Sequence, residues 1–274
     1  MTPLLTPLPL RPLPPPDADF SDHLPTQDEL PCDDGIPMET PRHGFQMGLL
    51  IDALQGWLTA RGKGYAGGNM FLYYSLEQIR HRDFMGPDFF VVLDAPLGER
   101  KSWVVWGEQG RIPDLVVELL SDSTAKYDKA GKMALYARKV RVPEYYWYDP
   151  FEANDFAGFI LEGDQYRPLT PDIHERILSP ALRLCLGRWE GTYMGVEAVW
   201  LRWFTPEGEI LPTASETARR ETERVKQEAT AAKQEATAAK QEATAAKQAA
   251  ALATERAARL AEQLRRLGLN PDSS

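Results

Sequence analysis

Four ionisable residues stand close together between Pro113 and Pro150, in PDLVVELLSDSTAKYDKAGKMALYARKVRVPEYYWYDP: Asp114, Glu118, Asp128 and Lys132. Upstream, GPDFFVVLD (Gly86 to Asp94) carries a second Pro-Asp pair, Pro87-Asp88. Carboxylates on successive strands, followed by a lysine, suit phosphodiester hydrolysis. That reaction needs charge neutralised at the scissile phosphate and a water made nucleophilic. A Mg²⁺ or Mn²⁺ ion held by one or two carboxylates supplies both. A neighbouring lysine can orient the water or offset developing charge. Asp88 opens one strand and Glu118 lies within the next, so both side chains can converge on one ion. Glu118 sits between Val117 and Leu119 in an apolar strand, where a carboxylate is costly to bury without a partner or a metal.

The elements that must position these residues follow from pattern. Met47, Leu50, Ile51, Leu54, Trp57 and Leu58 recur at helical spacing, which predicts a helix from about His43 to Arg61 stopped by Gly62. GGNMFLYYS (67–75), GPDFFVVL (86–93) and IPDLVVELLS (112–121) are rich in β-branched or aromatic residues and bounded by Gly or Pro, so each predicts a strand. A helix from Thr124 to Val140 follows, with Ser123 as its N-cap. Glu144 to Tyr148 is the next strand, ended by Asp149-Pro150. Shorter, antiparallel strands are expected over 156–161, 182–191 and 199–205.

The order of elements, the Pro87-Asp88 pair and the later Glu118 resemble the PD-(D/E)xK nuclease superfamily. More closely, PDLVVELLS…D…K…Y followed by VPEYYWYDP is similar to the Uma-type family of putative restriction endonucleases, over roughly residues 40–205. The resemblance implies an α/β fold: a restriction-endonuclease-like mixed sheet flanked by helices. It implies Asp88 as the first metal-binding residue and Glu118 as the second. The superfamily pattern expects a lysine where this chain has Leu120. In the Uma-type pattern a lysine stands on the following helix, at the place of Lys132. Asp128, Lys132 and Tyr136 are spaced by four and share one face of that helix. Glu39 and His43 lie at the start of the first helix, where nucleases of this superfamily often add an acidic ligand.

Plainer readings stand beside these. Asp88 can simply begin a strand after a Gly-Pro turn, and Asp114 can be a strand-entry residue or an alternative ligand. Lys132 can be a solvated helix lysine with Asp128 as its i,i+4 partner, a pair worth only a few tenths of a kcal/mol. His43 is more often a capping or surface histidine than a base. Tyr73, Tyr74, Tyr145, Tyr146 and Trp147 are most economically core residues.

Composition narrows the setting. The net charge is −9, with −7 in residues 1–41, +2 in residues 214–274 and so −4 in between; the acidity lies mainly outside the presumed site. No run of about 18 apolar residues predicts a membrane span, and MTPLLTPLPLRPLPPP makes a poor secretory signal. Cys32 and Cys185 are isolated, with neither a zinc pattern nor a disulfide framework. A cytoplasmic protein is expected.

From Lys226 the chain repeats KQEATAA at Lys233 and Lys240, with a degenerate copy at Lys247. With Ala229 at position a, Ala236, Ala243, Ala250, Ala257 and Leu264 also fall at a, while Ala232, Ala239, Ala246, Ala253, Leu260 and Leu267 fall at d. Glu228, Glu235 and Glu242 then occupy g and Lys233, Lys240 and Lys247 occupy e, the arrangement for pairs between parallel helices. Alanine buries little at a seam, so a single solvated helix is the plainer alternative.

The expected organisation is a disordered Pro-rich arm over 1–19, a nuclease-like domain over 20–210, a long C-terminal coiled-coil helix over 214–268 and a disordered end over 269–274. The expected function is Mg²⁺- or Mn²⁺-dependent cleavage of DNA. Asp88 and Glu118 would hold the metal, Lys132 would assist the water, and dimerisation through the tail would address both strands. The rival is a non-catalytic binding or assembly protein that keeps the nuclease fold, favoured by Leu120, the acidic balance and the large tail. An RNA-directed nuclease fits the same residues.

Overall fold

The computed structural model describes residues 15, 18–32, 38–81 and 83–267. The expected disorder over 1–19, apart from residues 15, 18 and 19, and over 269–274 lies outside the described residues. The chain divides into two compact units, 1–214 and 215–274.

The first unit begins, after an irregular lead-in, with helix α1 (Pro41–Arg61). Thr40 caps it, its hydroxyl accepting from His43 N–H, and Pro41 fills a position where no N–H is needed. Gly62 ends it at φ 71, a left-handed turn that glycine adopts without strain. Then come β1 (Tyr65–Gly67), β2 (Leu72–Tyr73), helix α2 (Leu76–His81), β3 (Phe89–Val92), β4 (Trp103–Val104) and β5 (Leu115–Leu119). A helical segment, α3, runs without a break through Ala125–Tyr127, Asp128–Lys132, Met133–Leu135 and Tyr136–Val140. It leads to β6 (Glu144–Tyr148), β7 (Phe156–Glu162), β8 (Gln165–Pro168), β9 (Ile177–Ser179), β10 (Leu184–Tyr193) and β11 (Val196–Phe204).

A six-stranded mixed sheet has the order β1-β3-β5-β6-β7-β8, and only β5 and β6 are parallel within it. β11-β10-β9 form a second sheet, and β2 pairs with β4. Alternation divides the main sheet's two faces. Phe89, Val91, Leu115, Val117, Leu119, Tyr146 and Tyr148 pack with α1 residues Leu50, Ala53, Leu54 and Leu58. Phe90, Val92, Val116 and Tyr145 pack with Tyr136 and Val140 of α3. Glu118 has the parity of Val116, so its side chain enters the face covered by α3. Gln46 of α1 exchanges two 2.9 Å hydrogen bonds with the Leu201 backbone and so joins the helix to β11.

Two expectations, the strand over 67–75 and the Ser123 cap, need correction, and the helix over 124–140 is found with added detail. The strand expected over 67–75 is broken into the end of β1 at Gly67 and β2 at Leu72–Tyr73; between them, at Gly68, a Cβ would lie 2.0 Å from the Asp88 carbonyl oxygen. The helix expected over 124–140 contains two π turns, at Asp128–Lys132 and Tyr136–Val140. A carbonyl at the first is taken up by the Tyr145 hydroxyl, 2.8 Å from Asp128 O. Ser123 does not cap α3. The residue at that position is Thr124, without a side-chain cap bond, while Ser121 Oγ accepts from Thr124 N at 3.2 Å.

The second unit is dominated by helix α4 (Ala214–Arg266), in which no residue is buried. Thr230, Thr237 and Thr244, one per heptad, donate to the carbonyls of Lys226, Lys233 and Lys240 at 2.8 Å, a bond that satisfies the hydroxyl within its own helix. Arg259–Glu255 and Arg266–Glu262 pair at i,i+4.

Candidate active site

β3 and β5 run antiparallel with Phe89 opposite Val117, so Asp88 and Glu118 come together at the same end of neighbouring strands. Asp88 Oδ2 accepts from Leu119 N at 2.7 Å, and Asp88 N donates weakly to Glu118 Oε2 at 3.4 Å. Asp88 is half-buried, whereas Glu118 is fully buried. Two glycines place the Asp88 segment: Gly68 lies against its carbonyl, and a Cβ on Gly86 would lie 2.1 Å from Met70 O. Asn69 N donates to Pro87 O at 3.1 Å, which closes the same contact.

Lys132 reaches this pair from α3, its Nζ 2.7 Å from Glu118 Oε2 and 3.8 Å from Asp128 Oδ1. Four charged side chains therefore share a poorly solvated space. Burial pushes the Glu118 carboxyl up, to about 8, against the pull of Lys132, and Asp88 and Asp128 push the same way as burial. Asp128 is raised by burial too. Burial pulls the Lys132 ammonium down, but Glu118, Asp88 and Asp128 outweigh it and hold the pKa above its ordinary value. Glu118 Oε1 and the Tyr136 hydroxyl are both buried and make no hydrogen bond of ordinary geometry, although the two side chains are close enough to interact. Burial raises Tyr136 well above the usual tyrosine range, and the Glu118 charge adds to it.

The donor chemistry fits a hard divalent cation. Two carboxylates meet across adjacent strands, and one oxygen of the buried one makes no hydrogen bond of ordinary geometry. Mg²⁺ commonly takes one or two carboxylates and keeps waters at its other positions. Among the described residues no group of three or more His, Cys, Asp or Glu is arranged as a metal cage.

Glu39 and His43 stand beside the end of β5. Glu39 Oε1 accepts from Ser123 Oγ at 2.7 Å. His43 is buried, with Nε2 3.0 Å from Leu120 O, Nδ1 2.9 Å from Thr40 Oγ1 and a 3.9 Å approach to Glu39. Its ring nitrogens tie α1 to the strand end. Both residues line an open cavity of about 620 Å³ with Ser121, Asp122, Asp149 and Phe151. Asp114 is not brought to the cluster. It lies at the other end of β5, about 13 Å away at ~3.3 Å per residue, and its Oδ2 accepts from Leu93 N at 2.7 Å. Leu120, at the place where the superfamily pattern expects lysine, is fully buried. Gly68 and Phe151 carry no local signal in the sequence, because their surroundings come from distant segments.

The fold is α/β, a mixed sheet packed against helices, with Asp88, Glu118 and Lys132 gathered at one strand end. The Uma2 family, described as putative restriction endonucleases, matches over residues 27–189. The match covers more than half of the chain, and the protein belongs to this family. No curated protein matches it. One similar solved structure is a putative nuclease of the DUF820 family from Anabaena variabilis ATCC 29413, at 16% identity and TM-score 0.38, covering 58% of this chain and 90% of that one. A likeness at that score adds nothing to the assignment. Among the described residues no helix is long and apolar enough to cross a membrane.

Proposed function

We propose that the protein is a metal-dependent endonuclease that hydrolyses DNA phosphodiester bonds. The observation that carries this reading is the fully buried Glu118, with Lys132 on one carboxylate oxygen and no hydrogen bond of ordinary geometry on the other. A buried carboxylate of that kind is costly unless something compensates it, and a metal ligand role supplies the compensation. Asp88 and Glu118 would hold Mg²⁺ or Mn²⁺. When bound, that ion would neutralise phosphate charge and activate a water.

The chain's own residues supply the rest. Lys132, held protonated by three carboxylates, is unsuited to accept a proton from water. Its role is a fixed positive charge that orients Glu118 and offsets charge developing on the phosphate. Asp128 holds Lys132 from the same helix. Two copies would associate through α4, whose heptad repeat places Glu and Lys at flanking positions; a two-fold pair of sites could then address both strands.

Mn²⁺ titration by calorimetry on the wild type and Glu118→Gln tests the metal step, followed by cleavage of plasmid DNA. Binding by the wild type alone, with cleavage lost in Glu118→Gln and Asp88→Asn, is the expected result. Binding by neither protein, with or without DNA, would instead favour a non-catalytic assembly protein. The buried Leu120 and the 53-residue tail helix, in which no residue is buried, are the observations on that side.

A further inference from the structure

The cavity lined by Glu39 and His43 opens where β5 and β6 end, and Phe151 stands in its wall. The Phe151 ring is 61% exposed, yet it is held on its inner side. The Arg42 guanidinium carbon lies 5.5 Å from the Phe151 ring centroid and 4.6 Å from that of the fully buried Trp200. Trp200, Arg42 and Phe151 therefore form a stack that rises from the core to the cavity. Arg42 is anchored by Nη2, which donates to Pro150 O at 2.9 Å and Val199 O at 3.3 Å. The backbone beneath the ring is pinned as well, because Asp149 Oδ1 accepts from Phe151 N at 2.8 Å and Glu152 N at 3.0 Å. The His43 ring leans on it with centroids 5.9 Å apart.

We infer that Phe151 is a stacking platform for an unpaired nucleobase of the substrate, in the cavity at the ends of β5 and β6. This rests on the nuclease reading above. A ring fixed in advance loses little freedom when a flat partner lands on it, and such preorganisation favours binding. The cavity, at about 620 Å³, falls within the ~300–1,000 Å³ typical of small-ligand sites. Its lining separates a base from a phosphate. Glu39, Asp122, Asp149 and Glu152 repel an anion but accept hydrogen bonds from the amino and ring N–H groups of a base. Stacking tolerates every base, since each has a π face. A base within an intact duplex must be unstacked to reach the ring, at a cost of a few kcal/mol. Within a duplex the ring is therefore reached only where the strands are locally opened, whereas a single strand meets it without that cost.

The test is an anisotropy titration of a labelled single-stranded 12-mer and of the same sequence as duplex, in EDTA, using the full chain. Phe151→Ala and Phe151→Leu should weaken single-strand binding by about 5- to 150-fold, the range that loss of one stacked base gives. Phe151→Trp should retain it, and duplex affinity should change less than twofold. The leucine variant keeps apolar bulk at the ring position and isolates the π face. A single-stranded RNA of the same sequence reports which sugar the site takes, and the same loss on either strand supports the platform. Equal losses for single strand and duplex, no loss in either variant, or no single-strand binding by the wild type overturns it. Because the assay excludes metal, a wild type that stacks strands yet never cleaves refutes only the nuclease reading. Cleavage with no role for Phe151 refutes only the platform.

Discussion

Lys132 Nζ lies 2.7 Å from Glu118 Oε2, so a helix lysine meets a carboxylate fully buried on the preceding strand. The contact spans fourteen residues and crosses from α3 to β5. Leu120, two residues after Glu118, is buried and cannot supply a cation. The positive charge of the cluster instead comes from α3, across the sheet face that Glu118 enters.

Stability should therefore depend on pH in a definite direction. The folded-state pKa of Glu118, about 8, exceeds the ordinary glutamate value of 4.5. The folded state then holds that proton more tightly than the unfolded chain. Its contribution is fully present below 4.5 and is lost as pH rises through 8. Lys132→Met removes the compensating charge and should steepen the loss, reaching about 3 kcal/mol at pH 8.5 and less at pH 6, where Glu118 can neutralise by staying protonated. Urea unfolding at several pH values measures both slopes. A flat profile for the variant would contradict this account.

A raised Glu118 also sets the pH dependence of metal uptake. A ligand carboxylate must be ionised, so Mn²⁺ affinity should rise between pH 6 and 8.5. Calorimetry in buffers of different ionisation enthalpy should show about one proton released at the lower pH and fewer above 8. Asp114→Asn, far along the strand, should leave the affinity unchanged, whereas Asp88→Asn should abolish it.

The approach of Gly68 to Asp88 predicts an effect without touching a carboxylate. A Cβ 2.0 Å from a backbone oxygen forces the chain to move. Gly68→Ala should cost about 1–3 kcal/mol and weaken Mn²⁺ binding by displacing Asp88. Gly56→Ala is the matched control. It is exposed within α1 with no atom near its Cβ, and it should gain about 0.5–1 kcal/mol. Thermal melts and Mn²⁺ titration of both variants would show whether the two effects separate.

Association through α4 should depend on its larger apolar residues, because alanine contributes little at a seam. Replacing Leu260, Leu264 and Leu267 together by aspartate should convert the full chain to monomer in sedimentation velocity at micromolar concentration, with its first unit still folded. A wild type that sediments as a monomer throughout this range would rule out the pairing.

The sequence by itself determined much of the framework. The 3.6-residue period places α1, ended by a glycine that can take the left-handed turn. The apolar runs at 115–119 and 144–148 give two central strands, and the seven-residue repeat gives the long tail helix. These features are legible because they depend on neighbours within a few residues. The residue types likewise bring Asp88, Glu118 and Lys132 forward as candidates, since a carboxylate in an apolar strand needs a partner.

Only the tertiary structure decided which candidates meet. Antiparallel pairing of β3 with β5 sets Asp88 against Glu118 and leaves Asp114 at the far end, a choice of register that no local pattern contains. The π turns of α3, the glycine contacts under Asp88 and the Trp200–Arg42–Phe151 stack join segments far apart in the chain. Such contacts are settled by how packed layers share space and satisfy buried polar groups. Their energies belong to pairs of distant residues, and a local pattern records only one member of each pair.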